Sequence, residues 1–167
     1  MKPGKKTVKK KTVISHILNS VNGKIPEHYY NKLDRKDKMK QITEIQKSRK
    51  LYRQKKYYTR PKMSSYQNKK SKHEIDFQKC YGIKLGNNLK EISKATGVPI
   101  PALQKILSKG RGAYYSSGSR PNQTAESWAR ARLASALLKR GAYKIDKHIL
   151  DSHHVKNIKK CNVPHKK

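Results

Sequence analysis

Between Tyr52 and His73 the chain reads YRQKKYYTRPKMSSYQNKKSKH, with Tyr52, Tyr57, Tyr58 and Tyr66 interleaved among lysines and arginines. Cations that can meet phosphates, and rings that can meet bases, are the two side-chain types needed to follow a single strand or a phosphate backbone. The same mixture suits an acidic protein surface, where tyrosine supplies contact area and lysine supplies complementary charge. Composition leaves both open, and Lys55, Lys56, Tyr57, Tyr58 and Arg60 are the candidate contacts in either case. A second group lies from Gly110 to Pro121, where Arg111 and Arg120 flank Tyr114 and Tyr115 among glycines and serines. Read as a loop, this run would set exposed backbone N–H groups beside two guanidinium groups, an arrangement suited to a phosphate or to a partner's carboxylate. The plainer alternative is a connecting loop whose tyrosines pack on the next helix. Arg130 and Arg132 fall on the flanks of that helix, either as a solvated face or as bidentate ionic contacts.

Catalytic chemistry finds little to work with. The ten acids are scattered, none is paired near a histidine, and no Walker-type loop, GxSxG or HExxH occurs. The expectation is a protein that is not an enzyme. His73 precedes Cys80, and His148, His153, His154, Cys161 and His165 crowd toward the C-terminus, yet there is no CxxC pair and the spacing fits no structural zinc site. Neither a metal nor a cofactor is expected. Two cysteines are too few for a disulfide scaffold, so both read as reduced thiols in a cytoplasmic, nuclear or particle-interior setting.

The charge balance says more. With 42 Lys+Arg against 10 Asp+Glu in 167 residues, the formal net charge is +32, and only 34% of residues are hydrophobic. That is below the ~45–50% of an ordinary globular domain and supports one small core. A charge of this size repels itself and implies a polyanionic partner: nucleic acid, an acidic protein surface or an anionic membrane face. It is unevenly spread. Residues 1–80 hold 24 cations and 6 acids, residues 81–151 hold 13 and 4, and residues 152–167 hold 5 and none.

No run approaches the ~18 apolar residues of a membrane span. The N-terminus is basic and then apolar, but Ser15, His16, Asn19 and Ser20 interrupt it, so it reads as a basic arm rather than a signal peptide. Its lysine runs are at most a weak nuclear-import signal.

Four segments must position these residues: a basic N-terminal arm (1–24), a basic extension (25–80), a small helical domain (81–151) and a basic C-terminal tail (152–167). In the extension, Asp34 and Asp37 form a cap and first turn, and Met39, Ile42, Ile45 and Tyr52 recur on one face, predicting an amphipathic helix from Arg35 to Arg53. A shorter helix around Val13–Val21 is a further expectation, and Tyr52–His73 reads as an extended arm. In the domain, Asn88 with Glu91 opens a helix carrying Leu89, Ile92 and Ala95 and ending at Thr96-Gly97. Pro101 begins a second, with Leu103, Ile106 and Leu107, that Gly110 closes. Thr124 caps a third through Lys139, with Trp128 as its core anchor, and a short one runs from Asp146 to Leu150. Strands are hard to find, so the fold class is all-α.

The first two domain helices match a helix-turn-helix: small Ser93 lets them approach, Gly97 takes the turn, and Val98, Leu103 and Ile106 close the angle. The first residues of the second helix, where base edges would be read, are Pro99, Ile100 and Pro101, which offer no side-chain hydrogen bond. Gln104, Lys105 and Ser108 remain as exposed candidates. A helix pair used only for packing is the competing reading.

The run from Gly97 to Leu150 contains GRGAY at Gly110–Tyr114, a serine followed by Arg-Pro at Ser119–Pro121, WAxxR at Trp128–Arg132 and a closing DKxIL at Asp146–Leu150. It resembles an uncharacterised domain family of large nucleocytoplasmic DNA viruses, also seen in some tailed phages, and the basic stretch from Ile25 to His73 resembles the region preceding that domain. The resemblance implies a viral origin and a place in the particle as a minor capsid or internal virion protein. Taken with the charge, this makes other capsid or virion proteins, or packaged double-stranded DNA, the expected partners, in the virion and in host cytoplasm or nucleus during assembly. No catalytic residues come with it.

Overall fold

The computed structural model describes residues 25–86 and 88–159; the expected arm at 1–24, the helix around Val13–Val21 and the end of the tail lie outside them. Among the described residues there are six α-helices and no strand: α1 (Arg35–Arg53), α2 (Lys72–Tyr81), α3 (Leu89–Thr96), α4 (Ile100–Ser116), α5 (Ala125–Leu137) and α6 (Gly141–Ser152), with a 3-10 turn at Glu27–Tyr29. The fold class is all-α. The chain divides into two compact units. One comprises residues 25–67 with Tyr115–Asn122, the other Asn68–Tyr114 with residues 123–159, so the boundary falls within α4.

In the first unit α1 begins and ends where its sequence sets it. The Asp34 carboxylate accepts from the Asp37 backbone N–H at 2.8 Å. Ile42 and Ile45 turn inward, and Ile25, Tyr29, Leu33 and Met63 are also buried. The segment expected as an extended arm is instead a strap laid back along α1. Tyr58 meets Glu44 and Lys47, Arg60 meets Ser48, and Ser64 and Ser65 meet Asp37, so the strap runs antiparallel to the helix. The loop from Ser117 to Asn122 completes the unit. Gly118, at φ +98°, packs so closely on Ile45 that a Cβ there would lie 2.9 Å from its Cγ2. Asn122 joins its side-chain amide to both the N–H and the C=O of Met63, at 2.6 and 3.1 Å.

In the second unit Phe77, Leu85, Ile92, Val98, Leu103, Ile106, Leu133, Leu137, Leu150 and Ile158 share one core. Helix α5 is packed against α2 and α6. Helix α2 was not anticipated: its only core-filling ring is Phe77, and the lysines around it hide the pattern. Helix α4 does not stop at Gly110. It continues through Ser116 because Gly110 sits against α5, where a Cβ would come within 2.7 Å of the Ala129 Cα. The residue read as a helix breaker is a helix–helix contact point. Trp128 is half-buried, and the fully buried rings are Phe77 and Tyr114. The described part of the tail is packed too, since Ile158 is buried and the Lys159 N–H donates to the Thr96 carbonyl at 3.0 Å.

Cys80 is disulfide-bonded, not a reduced thiol; the chain's other cysteine, Cys161, lies outside the described residues.

Candidate functional site

At 100° per residue, Lys36, Lys40, Thr43, Lys47 and Lys50 fall within about 40° of one line along α1, opposite Ile42 and Ile45. All five are exposed. At 1.5 Å per residue the four lysines span about 21 Å. The acids beside this row are tied into the fold, and the Asp37 carboxylate also feels the charge of Lys40. Asp34 caps the helix, and Asp37 accepts from the Ser65 N–H and hydroxyl, each at 2.8 Å, and from the Ser64 hydroxyl. Those bonds, the Ser65 N–H foremost, hold the Asp37 carboxyl below its usual range. Glu44 accepts from the Tyr58 hydroxyl at 2.6 Å, which pushes the phenol up. Lys47 lies over the Tyr58 ring, 4.4 Å from its centroid, so a lysine of the row is braced by the strap.

The row ends in an aromatic group. Tyr52 stacks on Tyr115, Tyr57 stands edge-on to Tyr115, and Lys55 and Lys56 are exposed beside them. Lys55 occupies the left-handed region at φ +60°, with its N–H bonded to the Tyr52 carbonyl and the Lys56 N–H to that of Leu51. These two bonds make a Schellman helix end with lysine where glycine is usual.

The candidate contacts named from sequence therefore separate. Lys55, Lys56, Tyr57 and Arg120 are exposed in the first unit, and Tyr58 is half-buried there. Arg60 is buried, its guanidinium donating to the Ser48 and Ser119 hydroxyls at 3.1 and 2.6 Å, which fastens the strap from within. In the second unit Gln104 and Lys105 are exposed on α4. Arg111 and Tyr114 lie on that helix rather than in a loop, so their backbone N–H groups form no anion cradle. Arg111 makes a bidentate pair with Glu126 at 2.7 and 3.1 Å and holds the Glu126 carboxyl down. Tyr114 is fully buried. Arg130 is half-buried, near enough to Glu74 to oppose the rise that burial imposes on that carboxyl. Arg132 forks onto Asp146 at 2.8 and 2.7 Å, and Asp146 is fully buried. Of the two readings of Arg132, this is the ionic contact, made within the chain. The lysine row itself was missed, although its spacing of four, seven and three residues was there to be read.

The helix pair has its turn as expected: Gly97 is left-handed at φ +76°, and the Asn88 side chain caps α3 through the Glu91 N–H. Residues near the C-terminus cover this turn, with the Lys159 ammonium donating to the Lys94 carbonyl at 3.0 Å and the Tyr81 hydroxyl to the Lys159 carbonyl at 2.9 Å. Among the described residues no three His, Cys, Asp or Glu side chains gather as metal ligands would, and no helix is long and apolar enough to cross a membrane.

Residues 26–155 match the model of a family of unknown function, DUF5824. The chain belongs to that family. The DUF5824 match takes in both units, so the basic extension with its lysine row is part of the family domain rather than an appendage to it. No curated protein and no solved structure matches the chain.

Proposed function

We propose that this chain is a non-enzymatic structural protein of a large DNA virus particle, a minor capsid or internal virion protein, that holds packaged DNA or acidic capsid protein surfaces by its basic face. The observation that carries the reading is the exposed lysine row of α1, set on a rigid helix whose nearby acids are engaged within the chain. A spaced row of point charges neutralises a polyanion without reading its sequence. The viral part of the proposal rests on the resemblance of the motifs between Gly110 and Leu150. Fractionating purified particles tests it: the chain should be present and should stay with the DNA or with the shell. Absence from particles overturns it.

The second reading, a helix-turn-helix protein acting in genome condensation, replication or transcription, is favoured by the left-handed Gly97 turn and by exposed Gln104 and Lys105. Binding to several duplex sequences separates the two. A strong preference abolished by changing Gln104 and Lys105 supports the second; uniform affinity lost with the α1 lysines supports the first.

A further inference from the structure

Tyr57 is 73% exposed, yet its ring is held in place. Its centroid lies 5.1 Å from that of Tyr115, at 62°, and 6.1 Å from that of Tyr52. Tyr52 and Tyr115 in turn stack nearly parallel, at 14° and 5.8 Å. Three rings so arranged fix one another, leaving most of Tyr57 in solvent. Exposed Arg53, Lys55 and Lys56 adjoin it in the chain. Lys55, at φ +60°, holds a left-handed position that glycine usually takes.

A pre-set ring bordered by cations matches a ligand with a flat π-face and an adjoining negative charge. An unpaired nucleotide has both. In a duplex the base faces are covered by their neighbours, and an acidic protein surface would engage the cations while offering the ring no flat partner.

We infer that Tyr57, propped by Tyr115 and Tyr52 and bordered by Arg53, Lys55 and Lys56, is a stacking site for an unpaired base of single-stranded nucleic acid. The inference rests on the polyanion reading above and adds an unpaired strand to the polyanions that this unit would hold. The test compares the full chain's affinity, by fluorescence anisotropy at one salt concentration, for oligothymidylate, an abasic strand of equal length and a duplex. Oligothymidylate should bind about ten-fold more tightly than the abasic strand, the effect of one stacked base. Tyr57→Leu should abolish that difference with abasic-strand affinity unchanged, and Tyr57→Phe should retain it; an unchanged circular dichroism spectrum shows that each variant is folded. Equal wild-type affinity for the two strands, with duplex bound as well, overturns the stacking site and leaves the polyanion reading intact. If no strand and no duplex binds, the stacking site falls together with the DNA branch of the polyanion reading, and polyglutamate binding decides the acidic-protein branch. Loss of polyglutamate affinity in Tyr57→Leu as large as the loss for oligothymidylate would assign the ring to a protein partner and overturn the inference.

Discussion

A glycine inside a helix ordinarily weakens it, by about 1 kcal/mol relative to alanine. Gly110 reverses that sign, because its missing Cβ is what lets α4 meet the backbone of α5 at Ala129. Gly110→Ala should therefore destabilise the protein by about 1–3 kcal/mol, the range for overpacking a contact that cannot yield, as measured by urea unfolding. Lys55 presents the opposite case: Lys55→Gly relieves a left-handed lysine and should stabilise the fold by up to ~1 kcal/mol while weakening oligonucleotide binding. A gain in stability together with a loss of affinity would mark a residue kept for its side chain. Arg132 is a third kind of residue. Its guanidinium neutralises a carboxylate with no exposed surface, so Arg132→Ala leaves a buried charge with only Lys109, 3.7 Å away, and should cost about 3 kcal/mol. Anisotropy at a temperature where the variant remains folded should find its affinity for DNA unchanged, since this guanidinium is committed within the chain.

At the scale of elements, three helices end alike. In α1, α5 and α6 the left-handed position after the last turn is held by Lys55, Lys139 and His154, each with the pair of backbone bonds that closes a Schellman end. The two lysines there also face the negative end of the helix dipole, which offsets part of the cost of a non-glycine residue. At its other end α1 depends on Asp37, which ties the strap to the first turn through Ser64 and Ser65. Because the folded carboxyl sits below its usual value of 3.8, the stability it contributes is present above that value and is lost as pH falls through the lowered one. Asp76, held down by Arg140, and Glu126, held down by Arg111, act in the same direction. The thermal midpoint should thus drop as pH falls from neutral to below 3.8, and Asp37→Asn should start lower and drop less. Helix α1 was legible to the residue because a cap, an acidic first turn and an apolar face all agree over Asp34–Arg53. Helix α2 was not, with one buried aromatic among lysines, and α4 was cut short because a sequence does not distinguish a glycine that ends a helix from one that admits a neighbour. The strap looked like a free arm for a similar reason. What binds it are polar groups, Arg60, Asp37 and Asn122, whose partners lie far away in sequence.

For the whole molecule the relevant quantity is the excess of 42 cations over 10 acids, which no internal pairing can remove. Of that charge, 24 cations precede residue 81, in segments read as a basic arm and a basic extension that carries one amphipathic helix. The structure sets part of it on a helix with fixed spacing, in a unit with its own buried side chains. The two arrangements differ in what a polyanion experiences: a loose tail adapts to any charge spacing, whereas a rigid row meets only the phosphates within its reach. Binding to duplex DNA should therefore weaken log-linearly with salt, each phosphate contact adding about 0.9 to the slope. Replacing Lys36, Lys40, Lys47 and Lys50 one at a time with glutamine should lower that slope by up to about 1 per substitution, whatever the duplex sequence. Lysines on a solvated face that meets nothing would leave the slope unchanged. If only the row lysines lower it, and Lys105 on α4 does not, α1 is the face that the polyanion contacts. A drop at Lys105 that also varies with duplex sequence would instead shift the contact to the helix pair.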